Sequence, residues 1–253
     1  MKYKFIILII SSKGLKTANI CYKRENYYKL CKNYIIQNTN NFKEFEKHFK
    51  YFFIQYNENL KEEIKEDGNR LLIKGKESIK PGIFLKTIKA IEYINEKYEY
   101  DFILRTNLSS MWNFDKLLKL YNKIKPKNFY GGNIIYGDMI FASGTFILIS
   151  KDISHLLLEN INFDELVPNY VKCKKYIQFV EDDKVIGQIM NYNNIEPVNI
   201  KNIIDCLWKV NPDLISIENN ANKVLYFRLY KYNKIDEESV LNYVVKCFKN
   251  YYP

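Results

Sequence analysis

Apolar and polar positions fall into blocks along the chain. Residues 4–11 form a continuous apolar run ending in Ser11-Ser12, the pattern of a central strand buried on both faces. A helical stretch follows over 24–36, then strands over 51–55 and 70–73. Pro81-Gly82 opens an amphipathic helix in which Phe84, Ile88 and Ile91 recur at helical spacing. A strand over 101–106 ends in a polar loop, 107–110. This alternation predicts an α/β fold with a Rossmann-like, mostly parallel sheet flanked by helices. Ligands of such sheets gather beyond the carboxyl ends of the strands, where Ser11-Ser12 and 106–110 lie.

The second half is more mixed. The pattern predicts a helix over 115–124, strands over 129–135 and 139–141, and an apolar segment over 145–149. A helix over 183–193 follows, then strands over 196–200 and 224–229. A closing helix spans 236–251 with Asp236 as its cap. No linker, repeat or low-complexity block divides the chain, so 1–253 reads as a single domain with halves 1–110 and 111–253.

With 47% apolar residues the chain is not a disordered one. Its net charge of +10 suits an anionic partner. The lysines are scattered, however, with Lys174-Lys175 among the few adjacent basic pairs. No RNA-binding or zinc-finger spacing accompanies them, so no nucleic-acid partner is expected. The 22 tyrosines among abundant Lys, Asn and Ile are what an AT-rich genome writes, whether of a host cell or of a large DNA virus. Five cysteines (Cys21, Cys31, Cys173, Cys206 and Cys247) form no close pairs and read as reduced, mostly buried thiols. The apolar run near Met1 is too short for a membrane span and lacks a small-residue cleavage site, so no transmembrane segment is expected. The sequon Asn107-Leu108-Ser109 lies at an expected ligand site, where glycosylation would block it. These features point to a cytoplasmic, reducing compartment.

Four stretches resemble, in order, the GT-A glycosyltransferases, most closely the β-1,3-galactosyltransferase and Fringe-like group. Gly82-Ile83-Phe84-Leu85-Lys86-Thr87 is similar to that family's Leu-x-x-Lys-Thr helix behind the donor site. Tyr100 to Ser109 resembles the strand that delivers the family's Asp-x-Asp metal motif. Phe141 to Asp152 is similar to its Ser-Gly-x-x-x-x-x-Ser-x-Asp segment beside the acceptor. Val180-Glu181-Asp182-Asp183-Lys184-Val185-Ile186-Gly187 resembles its Glu-Asp-Val-x-x-Gly segment carrying the general base. Tyr226-Phe227-Arg228-Leu229 after Trp208 is a weaker echo. The resemblance covers roughly residues 73–229; the first seventy residues match only in their strand-helix pattern.

The resemblance implies transfer of a sugar from a UDP- or dTDP-sugar to an acceptor hydroxyl, with inversion and an Asp base. It places the donor over Ser11, Ser12, Lys86, Arg105, Asn107, Ser109 and Arg228, and the acceptor beside Ser143, Gly144, Asp205 and Trp208. The halves 1–110 and 111–253 then bind donor and acceptor respectively.

The family's metal-holding carboxylates read Asn107 and Ser109 here, and neutral oxygens bind a divalent Mn²⁺ or Mg²⁺ ion weakly. Three readings are open. The enzyme works without a tightly held metal, Arg105, Lys86 or Arg228 meets the phosphate charge, or the domain is a silent binding module.

Plainer explanations stand beside these roles. The stretch 107–110 also fits a polar turn before a helix capped near Asn113. Glu181, Asp182 and Asp183 also suit a helix N-terminus, and Ser143-Gly144 a strand-to-helix turn. Trp208 is a sugar platform or a core indole, and Arg105 also suits a purely structural ion pair with Asp101 or Glu99. His48 and His155 are isolated. Counting back from Gly187 places the base at Asp183; matching the literal Glu-Asp pair places it at Asp182.

Overall fold

Phe5 to Ile9 have no exposed surface, because they lie in the strand that both sheet faces cover, β1 (Lys2–Ile10). The computed structural model describes residues 1–11, 46–79, 81–108, 110–161, 181–200 and 225–228. The predicted helices over 24–36 and 236–251, and all five cysteines, lie outside the described residues.

After β1 come β2 (Phe49–Asn57), β3 (Ile64–Asp67), β4 (Arg70–Lys74), helix α1 (Gly82–Lys97) and β5 (Glu99–Asn107). Next are β6 (Ser110–Trp112), α2 (Phe114–Tyr121), β7 (Tyr130–Ile135), β8 (Phe141–Ser150) and α3 (Lys151–Glu159). The described chain ends with α4 (Asp182–Tyr192), β9 (Val198–Asn199) and β10 (Tyr226–Arg228).

Eight strands form one sheet in the order β3-β4-β2-β1-β5-β8-β7-β9. β4, β2, β1 and β5 run parallel. β8 lies antiparallel to both β5 and β7, so the sheet is mixed rather than uniformly parallel. The fold is α/β. β6 and β10 form a separate antiparallel pair, with Tyr226 opposite Trp112. No helix among the described residues is long and apolar enough to cross a membrane.

Alternation along β1 assigns its two faces. Ile6, Leu8 and Ile10 join Phe84, Ile88, Ile91 and Ile94 of α1 and Val185, Ile189 and Met190 of α4 in one core. Phe5 turns the other way, stacking on Phe49 and Phe102 with ring centroids 5.6 and 5.7 Å apart. Tyr121 of α2 meets Phe5 edge-on at 5.8 Å. Each such buried side chain contributes about 1.5–3 kcal/mol, which holds β1 and β5 between two packed layers.

Local chemistry sets the helix starts. Gly82 N donates to Ser78 Oγ at 3.1 Å, satisfying an orphan donor at the head of α1. Asn113 caps α2 by accepting from Lys116 N at 3.0 Å, as the polar turn expected there requires.

Three expectations need correction. Ser143 and Gly144 are no strand-to-helix turn: they lie inside β8, which runs unbroken through Ser150. The expected loop over 107–110 is shorter, since Asn107 ends β5 and Ser110 begins β6, which pairs with β10. Finally, α3 follows β8 directly, where no helix was expected.

Candidate active site

Two strand ends and one helix start meet at the carboxyl edge of the sheet. β5 supplies Arg105 and Asn107, β8 supplies Ser143, Gly144 and Thr145, and the start of α4 supplies Glu181, Asp182 and Asp183. With Ile79 and Ile83 they line a cleft of about 420 Å³, within the size range of small-molecule sites.

Arg105 is 3% exposed, and both of its Nη groups are engaged by the protein. Nη1 donates to the Gly144 carbonyl and, at 3.0 Å, to Asn107 Oδ1. Nη2 stands 2.5 Å from Asp182 Oδ2. That pair is a charge contact rather than an aligned hydrogen bond, since neither Asp182 Oδ2 nor Arg105 Nε has a hydrogen-bond partner. The pairing of Arg105 with Asp101 or Glu99 does not occur. Asp101 is four residues back along the strand, about 13 Å, and bonds Lys2 and Tyr121 instead. Glu99 pairs with Lys151.

Asp183 holds β8 to α4. Its Oδ2 accepts from Gly144 N at 2.9 Å, and its Oδ1 from Lys184 N at 2.9 Å. A Cβ on Gly144 would lie 2.7 Å from Arg105 Nη1 and 3.3 Å from Asp183 Oδ2, so a larger residue there would press on both side chains. One turn along α4, a Cβ on Gly187 would come 2.4 Å from Phe141 Cβ, so the helix backbone rests directly on β8. Tyr130 steadies the same strand, accepting from Ala142 N at 2.8 Å.

Burial pushes the carboxyl of Asp182 above its ordinary value; Arg105 opposes this and the neighbouring Asp183 charge adds to it. Glu181 is more exposed and pairs with Lys184 at 2.6 Å. The described lining residues thus include three carboxylates and one guanidinium, of which Asp182 alone meets the guanidinium directly.

A hydroxyl chain leads away from the cleft. Ser143 Oγ and Thr145 Oγ1 are 3.2 Å apart, and Thr145 Oγ1 lies 3.1 Å from the hydroxyl of the fully buried Tyr226. Thr106 Oγ1 donates to the Thr145 carbonyl at 2.7 Å and accepts from Trp112 Nε1 at 3.1 Å. This links β10 to the rim of the cleft.

Of the expected site residues, Arg105, Asn107, Ser143, Gly144, Asp182 and Asp183 come together. Lys86 and Ser11 do not line the cleft. Lys86 is fully buried, donates to both Glu77 oxygens at 3.0 and 2.9 Å, and reaches the Ser11 carbonyl at 3.3 Å. Ser11 Oγ accepts from Gln55 Nε2 at 3.0 Å. Ser12, Ser109, Asp205 and Trp208 lie outside the described residues, as does the side chain of Arg228. Sequence reasoning missed Glu77, Ile79 and Thr145. Only Thr145 carried a signal, as the residue following the Ser-Gly pair.

The described strand end does not fit a tightly held divalent ion. Asn107 offers a neutral oxygen, and that oxygen already accepts from a guanidinium. Among the described residues no group of three His, Cys, Asp or Glu side chains is placed to hold a metal.

No protein-family model matches the chain, and neither does any curated protein.

Proposed function

We propose that the protein is a GT-A-type glycosyltransferase, moving a sugar from a uridine or thymidine diphosphate donor to an acceptor hydroxyl. The observation that carries this reading is the meeting of three sequence-distant stretches, each resembling one family motif, around a single cleft. In that reading the donor approaches along the β5 end past Asn107, and the acceptor lies against Ser143 and Gly144.

Asp183 takes the proton of the attacking hydroxyl while the acceptor oxygen bonds the sugar carbon and the nucleoside diphosphate leaves. Such a carboxylate contributes about 10²–10⁴-fold to the rate. Asp182 is buried against Arg105 and acts as its neighbour rather than its replacement. Two adjacent carboxyls titrate as a pair, so the base is identified by substitution rather than by one pKa. Inversion is part of the same proposal.

The test is a panel of nucleotide sugars followed by thermal shift, since a ligand of the folded state raises apparent stability. Donors that shift the midpoint then enter a transfer and hydrolysis assay. Equal, negligible shifts across the panel reject the donor site.

One observation favours a second reading. Both Asp183 oxygens already accept backbone N–H groups, as in a carboxylate that only fixes a helix start. A module that binds the nucleotide sugar but neither transfers nor hydrolyses it fits that arrangement, and the same assays separate the two.

A further inference from the structure

Arg105, Asp182, Asp183 and Gly144 form a closed circuit across three elements. The guanidinium of β5 faces the Asp182 carboxylate, and Asp183 follows Asp182 at the head of α4. Asp183 accepts from Gly144 N, and the carbonyl of the same Gly144 accepts from Arg105. One residue of β8 is thus held from both sides, by cation and by anion, and a side chain there would press on the guanidinium.

We propose that Arg105 is a positioning residue for the carboxylate pair, acting through Asp182 and the Gly144 carbonyl to hold Asp183 at the cleft. This rests on the transferase reading above but departs from the donor-phosphate role that the sequence resemblance implies for this arginine.

Three observations support the assignment. Arg105 is 3% exposed, so little of its guanidinium is presented to a ligand. Its Nη groups are already committed to Asp182, Gly144 and Asn107. Turning the guanidinium toward a phosphate would also leave the Asp182 carboxylate, 7% exposed, without its counter-charge, and an uncompensated buried charge is strongly unfavourable. A phosphate ligand would need the opposite design, a cation turned outward and held in reserve. The plane and fork of a guanidinium also suit this circuit better than an ammonium, since it must reach a carbonyl and a carboxylate at once.

The experiment is a double-substitution cycle on the full chain, using Arg105→Gln, Asp182→Asn and the pair together. Thermal midpoint, donor dissociation constant for the stabilising uridine or thymidine sugar, and kcat are measured for each. The expected result is that Arg105→Gln lowers both midpoint and kcat while donor affinity stays within about threefold. Asp182→Asn added to Arg105→Gln should recover the midpoint, because it removes the stranded carboxylate. Arg105→Lys, which keeps the charge, covers the case in which Arg105→Gln does not fold, and should keep donor affinity while losing turnover.

A loss of donor affinity of about tenfold or more with kcat at saturation preserved overturns the proposal and makes Arg105 a phosphate ligand. Midpoints that simply add across the cycle overturn it as well, since they leave no coupling between Arg105 and Asp182. If the midpoint recovers but the unmodified chain binds no nucleotide sugar, the transferase reading fails and the circuit stands.

Discussion

The backbone N–H of Gly144 donates to Asp183 Oδ2 at 2.9 Å, tying the middle of β8 to the first turn of α4. Asp183 is half-buried at the cleft, whereas Asp182 is turned under it against Arg105. A single step along a helix rotates a side chain by about 100°, so the two carboxylates face different surroundings. Asp183→Asn keeps an oxygen for the Gly144 bond and changes shape little. It should retain the fold and donor affinity while turnover falls about 10²–10⁴-fold. The check is kcat beside a donor binding titration. Full activity in both Asp183→Asn and Asp182→Asn sinks the carboxylate-base mechanism.

The contact between Gly187 and Phe141 tests whether α4 must lie this close to β8. Alanine is the better helix former by about 1 kcal/mol, so propensity alone predicts a more stable Gly187→Ala. Its Cβ, however, would sit 2.4 Å from Phe141 Cβ and 3.3 Å from Phe141 Cα. The helix must move outward, and such overpacking costs about 1–3 kcal/mol. The expected outcome is a net loss of stability in urea titration, accompanied by lower transfer because Asp183 moves with the helix. An unchanged or raised midpoint rejects the close-packing account.

Both predictions depend on features of unequal visibility in the sequence. The apolar run of β1 and the spacing of Phe84, Ile88 and Ile91 in α1 reflect burial of a repeating face, which leaves a period in the sequence. Gly187 stands out in the sequence only as the point from which the base is counted back. Ser143-Gly144 reads as a turn because glycine usually breaks strands, whereas here Gly144 lies inside β8 with Arg105 and Asp183 close against it. β10 falls within the strand expected over 224–229, whereas β6 is three residues long and exists only through pairing with it, so β6 carries no period of its own. The Arg105–Asp182 contact joins residues 77 positions apart in sequence and leaves no local trace.

Metal dependence follows from Asn107. Its side-chain oxygen accepts from Arg105 Nη1, which places a cation where a divalent ion would need an open anionic ligand. Donor-induced stabilisation should therefore survive a chelator unchanged. Stabilisation lost in chelator and restored by micromolar Mn²⁺ would show that other oxygens, those of Asp183 among them, take that role.

Lys86 tests the difference between a phosphate contact and a buried strut. Its ammonium is fully buried against Glu77, whose side chain is 19% exposed, and Glu77 also accepts from Tyr56 N at 3.0 Å. Lys86→Met should destabilise the fold by about 2–4 kcal/mol, toward the lower part of the range for a broken buried pair because Glu77 reaches solvent. Adding Glu77→Gln should return part of that loss. A Lys86→Met protein of unchanged stability and weakened donor affinity would restore the phosphate role that the sequence resemblance implies.

Glu66 offers a test of stability away from the cleft. Lys50 donates to its Oε1 at 3.0 Å, while the Tyr98 and Tyr93 hydroxyls donate to Oε2 at 2.5 and 3.2 Å. Partial burial alone would raise this carboxyl, but the donors from Tyr98, Lys50 and Tyr93 outweigh it and hold the group below its ordinary value of 4.5. A carboxylate lowered on folding contributes stability that is fully present above its unfolded value, about 4.3, and is lost as pH falls through the folded one. Glu66→Gln removes that contribution. At pH 7 the variant should be less stable by about 1–2 kcal/mol, since hydrogen bonds to a charged group are worth somewhat more than neutral ones and this site is partly open to solvent. The difference between the two proteins should shrink steadily below about pH 4 as the carboxylate of the unmodified chain takes up its proton. Urea titrations at pH 7, 5, 4 and 3 would show it. A difference that stays constant or widens in acid would mean that the Glu66 charge is not what holds β2, β3 and the end of α1 together.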